Sequence, residues 1–367
     1  MLWRSIRLIA ALCTAVISPW VSAQPAGALG DEFVYRIQAG DTLINLAQLY
    51  TRNPDNWSIL QRHNSVSDPF RLVIGAELRI PFSLIPEIPS QTTAVHVSGQ
   101  AQVDGQPLQV GMEIDEGATI TTEANGFVTL QLADGSKLTL PRGSATQLER
   151  LRQFEGAPLT DSILHIRQGE VDSNVAPSGQ GVGRFEIRTP VAVMGVRGTR
   201  FRVQTSDQGA HSEVLEGNVH LQTQPDQGAG GRAVALKSGF GAAVGADGDV
   251  QLQRLLPAPR LGTPHRAGGG QWTAVVTPVP GAVQYLVQVS RDKDGLEVTS
   301  SQRFDTPDIR FAARRPGTHY VAVRAIDTSG LGGRDAQQAF EGANALLSAS
   351  GLPVMLNDGG VVTLFDY

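Results

Sequence analysis

The sequence predicts a multidomain, mainly β protein in which a small β-α-α-β module precedes two larger β-rich units. Three observations carry this. A chain of 367 residues is too long for one ordinary core and suggests two or three domains. Glycine numbers 41 residues and proline 21, while runs of strong helix formers are scarce, which favours short strands joined by tight turns. Apolar periodicity is helical near the start and alternating over most of the rest. With 41% apolar and 18% charged residues, the composition is that of a folded chain.

Residues 1–23 are expected to be a signal peptide, removed before folding. Arg4 and Arg7 give a positive start, residues 8–20 a short apolar stretch, and Val21-Ser22-Ala23 the small residues a signal peptidase reads. A membrane span takes about 20 apolar residues, more than this stretch supplies, so no span is expected in the mature chain. A retained anchor helix is the alternative. The sole cysteine, Cys13, lies in this leader behind Leu12, where a lipoprotein signal wants a small residue. The mature chain therefore has no thiol, no disulfide and no Cys-ligated metal. Losing Arg4 and Arg7 takes the formal charge from −5 to −7. An acidic chain without Lys/Arg clusters lacks the footprint for phosphate backbones or anionic lipid, which excludes nucleic acid and direct lipid binding.

The first unit spans residues 33–81. Residues 33–38 alternate as a strand and end in the turn Ala39-Gly40-Asp41-Thr42. Leu43, Leu46, Ala47 and Tyr50 then fall on one helix face, with Asp41 or Thr42 placed to cap it. Asn53-Pro54 opens a second helix whose apolar face is Trp57, Leu60 and Ile59, and Asn64 suits its exit. Leu78 and Ile80 form a closing strand that stops at Pro81.

The residues Tyr35-Arg-Ile-Gln-Ala-Gly-Asp-Thr-Leu43, Leu46-Ala47, Trp57-Ser-Ile59, Asn64, Asp68-Pro69 and Ile74-Gly75-Ala-Glu-Leu-Arg-Ile80-Pro81 resemble a LysM domain. The resemblance implies two helices packed on a two-stranded antiparallel sheet, and binding of N-acetylglucosamine-containing glycans such as peptidoglycan. Departures are minor: Leu46 closes Leu43-Ile-Asn-Leu46 where Ile is commoner, and Ala76 replaces a frequent Gln.

Residues 82–93, with Pro86 and Pro89, read as a semi-rigid linker. Residues 94–254 alternate in short strands. Val128, Leu130 and Leu132 lead through Ala133-Asp134-Gly135-Ser136 to Leu138 and Leu140, a hairpin. Residues 212–216 and 219–222 flank Gly217-Asn218, which reads as a second hairpin, and residues 227–232 read as a mobile loop. Gly111-Met112, Leu132-Ala-Asp-Gly-Ser136, Thr189-Pro-Val-Ala-Val-Met-Gly-Val-Arg-Gly-Thr-Arg-Phe-Arg-Val203, Val214-Leu-Glu-Gly217 and Leu236-Lys-Ser-Gly239 resemble the periplasmic domain of FecR-type regulators. That implies an all-β, solenoid-like or sandwich domain that makes protein contacts. The cytoplasmic anti-sigma segment and membrane span that precede it in well-known regulators are missing here, so sigma-factor control does not carry over.

Residues 255–270 are Pro/Gly-rich and read as a linker. Residues 271–340 alternate again through Trp272, Val275-Val276, Tyr285-Leu-Val-Gln-Val289 and Tyr320-Val-Ala-Val-Arg-Ala325, giving five or six strands. The pattern is similar to a fibronectin type III β-sandwich, with Tyr320 in the place of a corner tyrosine. Residues 341–367 are a tail.

The richest binding feature is the loop pair of the first module. A glycan needs N–H donors, hydroxyl acceptors and an apolar shelf. Gly40-Asp41-Thr42 offers helix-start amides with no intrahelical partner, and Gly40 lets a ligand approach the backbone. The LysM resemblance supplies the facing loop, residues 66–72, with Asp68, Pro69, Phe70, Arg71 and Leu72; Phe70 or Leu72 would be the shelf. The bland alternative is that Asp41 and Thr42 only cap a helix and Asp68-Pro69 only turns the chain.

Met194-Gly-Val-Arg-Gly-Thr-Arg200 lacks the ending and following helix of a phosphate loop; it reads as a β-turn with Gly195 and Gly198 at positive φ and Arg197 bracing the sheet. Gly245-Ala-Asp247-Gly-Asp249 has too few ligands for a calcium loop and reads as a hairpin turn. The seven histidines, at 63, 96, 165, 211, 220, 265 and 319, lack the i, i+4 spacing of a helical metal pair. No Gly-x-Ser-x-Gly elbow occurs. The expectation is a non-enzymatic protein without cofactor or metal, exported to the periplasm or cell envelope of a Gram-negative bacterium. It would act as a wall-tethered scaffold or sensor whose β domains meet an envelope protein partner. The alternatives are a FecR-type signalling regulator without its cytoplasmic half, and an extracellular adhesin.

Overall fold

The computed structural model describes residues 27–29, 31–157, 159–177, 182–196, 198–224, 231–268, 271–313 and 315–342, with short stretches at 344–346, 348, 354–356 and 362–364. The expected signal peptide at 1–23, Arg197 and residues 227–230 of the expected loop lie outside them, as does much of the tail.

The first module has strand Glu32–Arg36, helix Leu43–Thr51, helix Trp57–His63 and strand Glu77–Pro81. The strands are antiparallel, with Phe33 opposite Ile80 and Tyr35 opposite Leu78. Leu43, Leu46, Ala47 and Tyr50 are buried as their spacing predicts, with Leu60, Leu78 and Ile80 beneath them. A third strand, Gly27–Leu29, pairs outside Glu32–Arg36, so the sheet has one strand more than the two implied by resemblance. Asn53 caps a 3₁₀ turn, Pro54–Asn56, by accepting from Asp55 N–H at 3.0 Å, and that turn runs into the second helix. Asn64 closes it: its side-chain amide donates to the carbonyls of Leu60 and Arg79, and its oxygen accepts from Arg79 N–H at 2.7 Å. The helix exit is thereby stitched to the closing strand.

Among the described residues, eighteen strands form one continuous hydrogen-bonded system in the central domain, folded into two layers around a single apolar core, and no sheet closes into a barrel. The 15-residue strand Thr160–Asn174 belongs to both layers. Its first half pairs with Ala145–Phe154, and its second half pairs with Arg200–Ser206. The transfer happens at Gly169, where φ is +88° and a Cβ would stand 2.6 Å from Ser144 Cα. No other residue type fits that bend. Beyond it, hairpins alternate between layers: Arg200–Ser206 with Gly209–Glu216, then Asn218–Thr223 with Ala233–Lys237, then Phe240–Gly245 with Val250–Arg254. Gly209–Glu216 pairs in turn with Phe240–Gly245, so successive units stack along the domain in the manner of a solenoid.

The hairpin at residues 133–136 forms with Val128 opposite Leu140, and the Asp247-Gly248 segment turns a hairpin as expected. Gly217-Asn218 does not. The strands it joins lie on different layers, and the glycine is a corner at φ +80°, where a Cβ would be 2.6 Å from Thr199 Cγ2. Gly195 also differs from expectation. It lies inside strand Ala192–Val196 opposite His220, and only Gly198 takes positive φ.

The C-terminal unit is a sandwich of two antiparallel sheets. One contains His265–Gly268, Gln271–Ala274 and Ile309–Ala312; the other contains Val298–Phe304, Ala282–Ser290, Thr318–Asp327 and Ala336–Glu341. Trp272, Val287, Val289, Phe311, Val321, Val323 and Phe340 fill the space between. The tyrosine that anchors a loop is Tyr285, whose buried hydroxyl accepts from Val279 N–H at 2.9 Å. Tyr320 instead sits half-buried between the inward-facing His319 and Val321.

Neither expected linker runs free of the domains. Residues 82–93 contain a 3₁₀ turn, Phe82–Leu84, and strand Glu87–Pro89, which pairs with Arg152–Phe154. Phe82 stacks on Phe154 with centroids 4.3 Å apart, and Phe154, Ala157 and Leu159 of the central domain join the core of the first module. Residues 255–270 include strand His265–Gly268, and Thr277 N–H donates to Arg260 O while Gly262 N–H donates to Val275 O. Proline and glycine mark exposed, irregular backbone, which here is backbone docked on a neighbour.

Candidate functional site

Two loops of the first module meet beside the start of its first helix. Ile37 N–H donates to Ala76 O at 2.9 Å and Gly75 N–H donates to Ile37 O at 2.8 Å, which pins loop 66–76 against loop 38–42. Gly40 sits at φ +93°, exposed, with no atom within 4 Å of where a Cβ would stand, so its backbone is open to a ligand.

Thr42 and not Asp41 is the cap. Its hydroxyl oxygen accepts from Asn45 N–H at 3.2 Å. The preceding first-turn amides, Leu43 and Ile44, have no intrahelical acceptor by helix geometry. The Asp41 carboxylate accepts from Gln38 N–H at 2.6 Å and from the Tyr35 hydroxyl at 2.9 Å. Burial, then the Asp41 hydrogen bond, pushes the Tyr35 hydroxyl pKa well above its ordinary value. Burial also raises Tyr50 to about 12. Both rings lie in an aromatic cluster with Phe33 under the turn, the Tyr35 and Tyr50 centroids 5.4 Å apart. The turn that carries Gly40 thus rests on a rigid aromatic floor through Asp41.

On the facing loop, Asp68 accepts from Phe70 N–H at 2.9 Å, and its carbonyl accepts from Arg71 N–H at 3.2 Å, a tight local turn after which Phe70 points outward. Pro69 is half-buried and Arg71 exposed. Leu72 is half-buried and packs partly against the module core. Phe70 is 79% exposed, and it is joined by Val73 at 72% and Ile74 at 68%. Sequence reasoning missed Val73 and Ile74. The signal that could have found them is an apolar run directly after a turn, with no helical or strand period to place it in a core.

Residues 35–81 match the LysM domain family. The LysM domain therefore holds the candidate site, and its loops carry every residue that the sequence singled out for glycan contact. Residues 118–220 match the FecR protein family, which places the two-layered domain in that class of fold. No curated protein matches the chain. Two crystal structures of a protein described as a candidate anti-sigma factor, from Parabacteroides distasonis, are similar at 18% and 20% identity, with TM-scores of 0.30 and 0.29. Each likeness covers 37% of this chain and 59% of theirs.

Among the described residues, no three His, Cys, Asp or Glu side chains are grouped to hold a metal ion. Among the same residues, no helix is long and apolar enough to cross a membrane.

Proposed function

We propose that the chain is a non-catalytic, peptidoglycan-binding protein of the cell envelope, tethered by its LysM domain while its β domains meet a protein partner. The observation that carries this reading is the exposed apolar set Phe70, Val73 and Ile74 beside the open Gly40-Asp41-Thr42 turn. In this reading the sugar faces rest on Phe70 and Ile74. Amides at Gly40 and the helix start donate to acetamido carbonyls, and Asp41 accepts from hydroxyls. Asp68 and Pro69 shape the loop, Leu72 roots it, and Arg71 hydrogen-bonds at the rim. A groove this shallow binds weakly, with a Kd on the order of 10⁻⁴ M. Retention comes from a polymer that presents many sites. The C-terminal unit is read as a fibronectin type III-like sandwich, and the protein as exported past the signal segment at 1–23 to a Gram-negative periplasm.

The test is co-sedimentation of the mature chain with purified insoluble peptidoglycan, beside the Phe70→Ala/Ile74→Ser variant. Both side chains are exposed, so the variant keeps its melting temperature. The expected result is that the wild type sediments and the variant stays in solution. Equal behaviour of the two overturns the site assignment. The FecR match favours a second reading, a FecR-type regulator that acts through another envelope protein. Loss of an envelope stress response on deleting the gene, with wall binding unchanged, would move that reading to the front.

A further inference from the structure

The outer face of strands Gly169–Asn174, Arg200–Ser206 and Gly209–Glu216 is charged, and the C-terminal sandwich lies on it. Inward, these strands send Val171, Phe201, Val203 and Val214 into the core. Outward, they send Glu170, Arg202 and Glu213 against Arg324 and Asp335 of the sandwich. The five side chains alternate in sign. Arg202 lies 2.7 Å from Glu213 and 3.5 Å from Asp335, and Arg324 lies 2.7 Å from Asp335 and 3.5 Å from Glu170. Arg202 is only 1% exposed. Gly332 N–H donates to Glu213 at 2.6 Å, and Arg202 donates to Gly333 O at 2.6 Å. Beside this chain of charges, Leu255 and Leu331 lie over Gly241, His96 Nε2 lies 3.0 Å from Val298 O, and the Thr129 hydroxyl donates to Leu296 O.

Such a contact differs in kind from a core. Ion pairs taken out of water gain little net stability, because desolvation offsets most of their attraction. Burial raises the pKa of Glu213 despite its Arg202 partner. Burial works against Asp335 too, but Arg324 and Arg202 hold its carboxyl below the usual range. When such a face separates, every charge regains water, whereas an apolar face would aggregate. The joint is also simple. Leu255 N–H is tied to Gly239 O on the central domain, and Leu256 O to Arg334 N–H on the sandwich, so the tether passes between neighbouring residues.

We propose that the C-terminal sandwich is a reversible intramolecular cap on the FecR-like domain, latched by the Glu170–Arg324–Asp335–Arg202–Glu213 chain of ion pairs and hinged at Leu255-Leu256. Release bares a strand face that bears both signs of charge. A competitor for that face must supply an arginine and an aspartate in the places of Arg324 and Asp335. The cap is independent of glycan binding.

The test uses the full mature chain, which has no native thiol, with spin labels on Glu123→Cys and Gln302→Cys, one on each domain. Double electron–electron resonance should give one dominant distance. Adding Asp335→Arg, which faces Arg202 and Arg324 with a third cation, should raise the longer-distance population more than tenfold. An unchanged distribution in a folded Asp335→Arg variant overturns the cap. Hydrogen exchange on the unmodified chain decides the matter should that variant not fold. The Gly332 amide, donated to Glu213, should exchange at least tenfold faster than the Val287 and Val323 amides inside the sandwich. Equal protection would mean that the contact opens only with global unfolding, and would overturn the proposal.

Discussion

The central domain is held on one side by rings and aliphatic carbon and on the other by a chain of alternating charges. At the LysM boundary, Phe82 and Phe154 stack at 4.3 Å while Ala157 and Leu159 complete a shared core. At the sandwich boundary, Arg202, Glu213, Arg324, Asp335 and Glu170 meet in alternation. The difference teaches what each joint is built to do. Buried apolar area stabilises contact continuously and makes separation of the LysM domain from the central domain costly. Ion pairs specify one docked geometry yet leave both faces soluble when apart.

Removing the ring at the apolar joint should have the largest effect. Phe154→Ala deletes a 3%-exposed side chain and its stacking partner's support. The expected loss is about 3–5 kcal/mol, read by denaturant unfolding, with the LysM domain melting as a separate unit. A single unshifted transition would break the comparison.

A pH scan should separate the two joints next. Burial lowers the pKa of His211 and His319 below 6.5, the His319 ring Nε2 lying 2.8 Å from Arg315 O. Between that folded value and 6.5 the unfolded chain binds more protons. Stability from these groups is therefore complete above 6.5 and declines as pH falls through the window. Both lie in or against the sandwich, His211 beneath Gly330. Tyr35 and Tyr50 act in the opposite range. Raised above 10, they hold more protons folded than unfolded, so LysM stability declines as pH climbs past 10. Mild acid should loosen the sandwich first and alkali the LysM domain first, as followed by residue-resolved hydrogen exchange.

The smallest effect sharpens the contrast. Arg52 and Glu155 pair at 3.3 Å across the LysM boundary with both side chains 45% exposed. Glu155→Ala should change stability by less than about 0.5 kcal/mol in the same unfolding assay, because exposed ion pairs are screened. A loss several times larger would show that charge, and not carbon, also holds this joint.

Legibility follows from how local each contact is. The LysM core is written in i, i+3 and i+4 spacings, so Leu43, Leu46, Ala47 and Tyr50 could be placed by eye. Gly40 and Thr42 followed from the turn before them. Val73 and Ile74 escaped because exposure of an apolar run has no periodic signature. Gly217-Asn218 was misplaced because strands alternate identically on both sides of a hairpin and of a corner between layers. The chain of ion pairs was invisible for a similar reason. Arg202 and Glu213 stand where an alternating strand puts its solvent-facing residues, and only the distant Arg324 and Asp335 turn that face into an interior. Phe154 belongs to one domain in sequence and to two in space.

The strand Thr160–Asn174 starts one residue past Leu159, in the LysM contact, and carries Glu170 into the chain of ion pairs. The bend at Gly169 divides it: its first part runs about 30 Å from the LysM contact, and its second part turns into the other layer to meet the sandwich. One backbone thus touches both joints, and a side chain forced in at Gly169 would disturb the seat of the sandwich along with the change of layer.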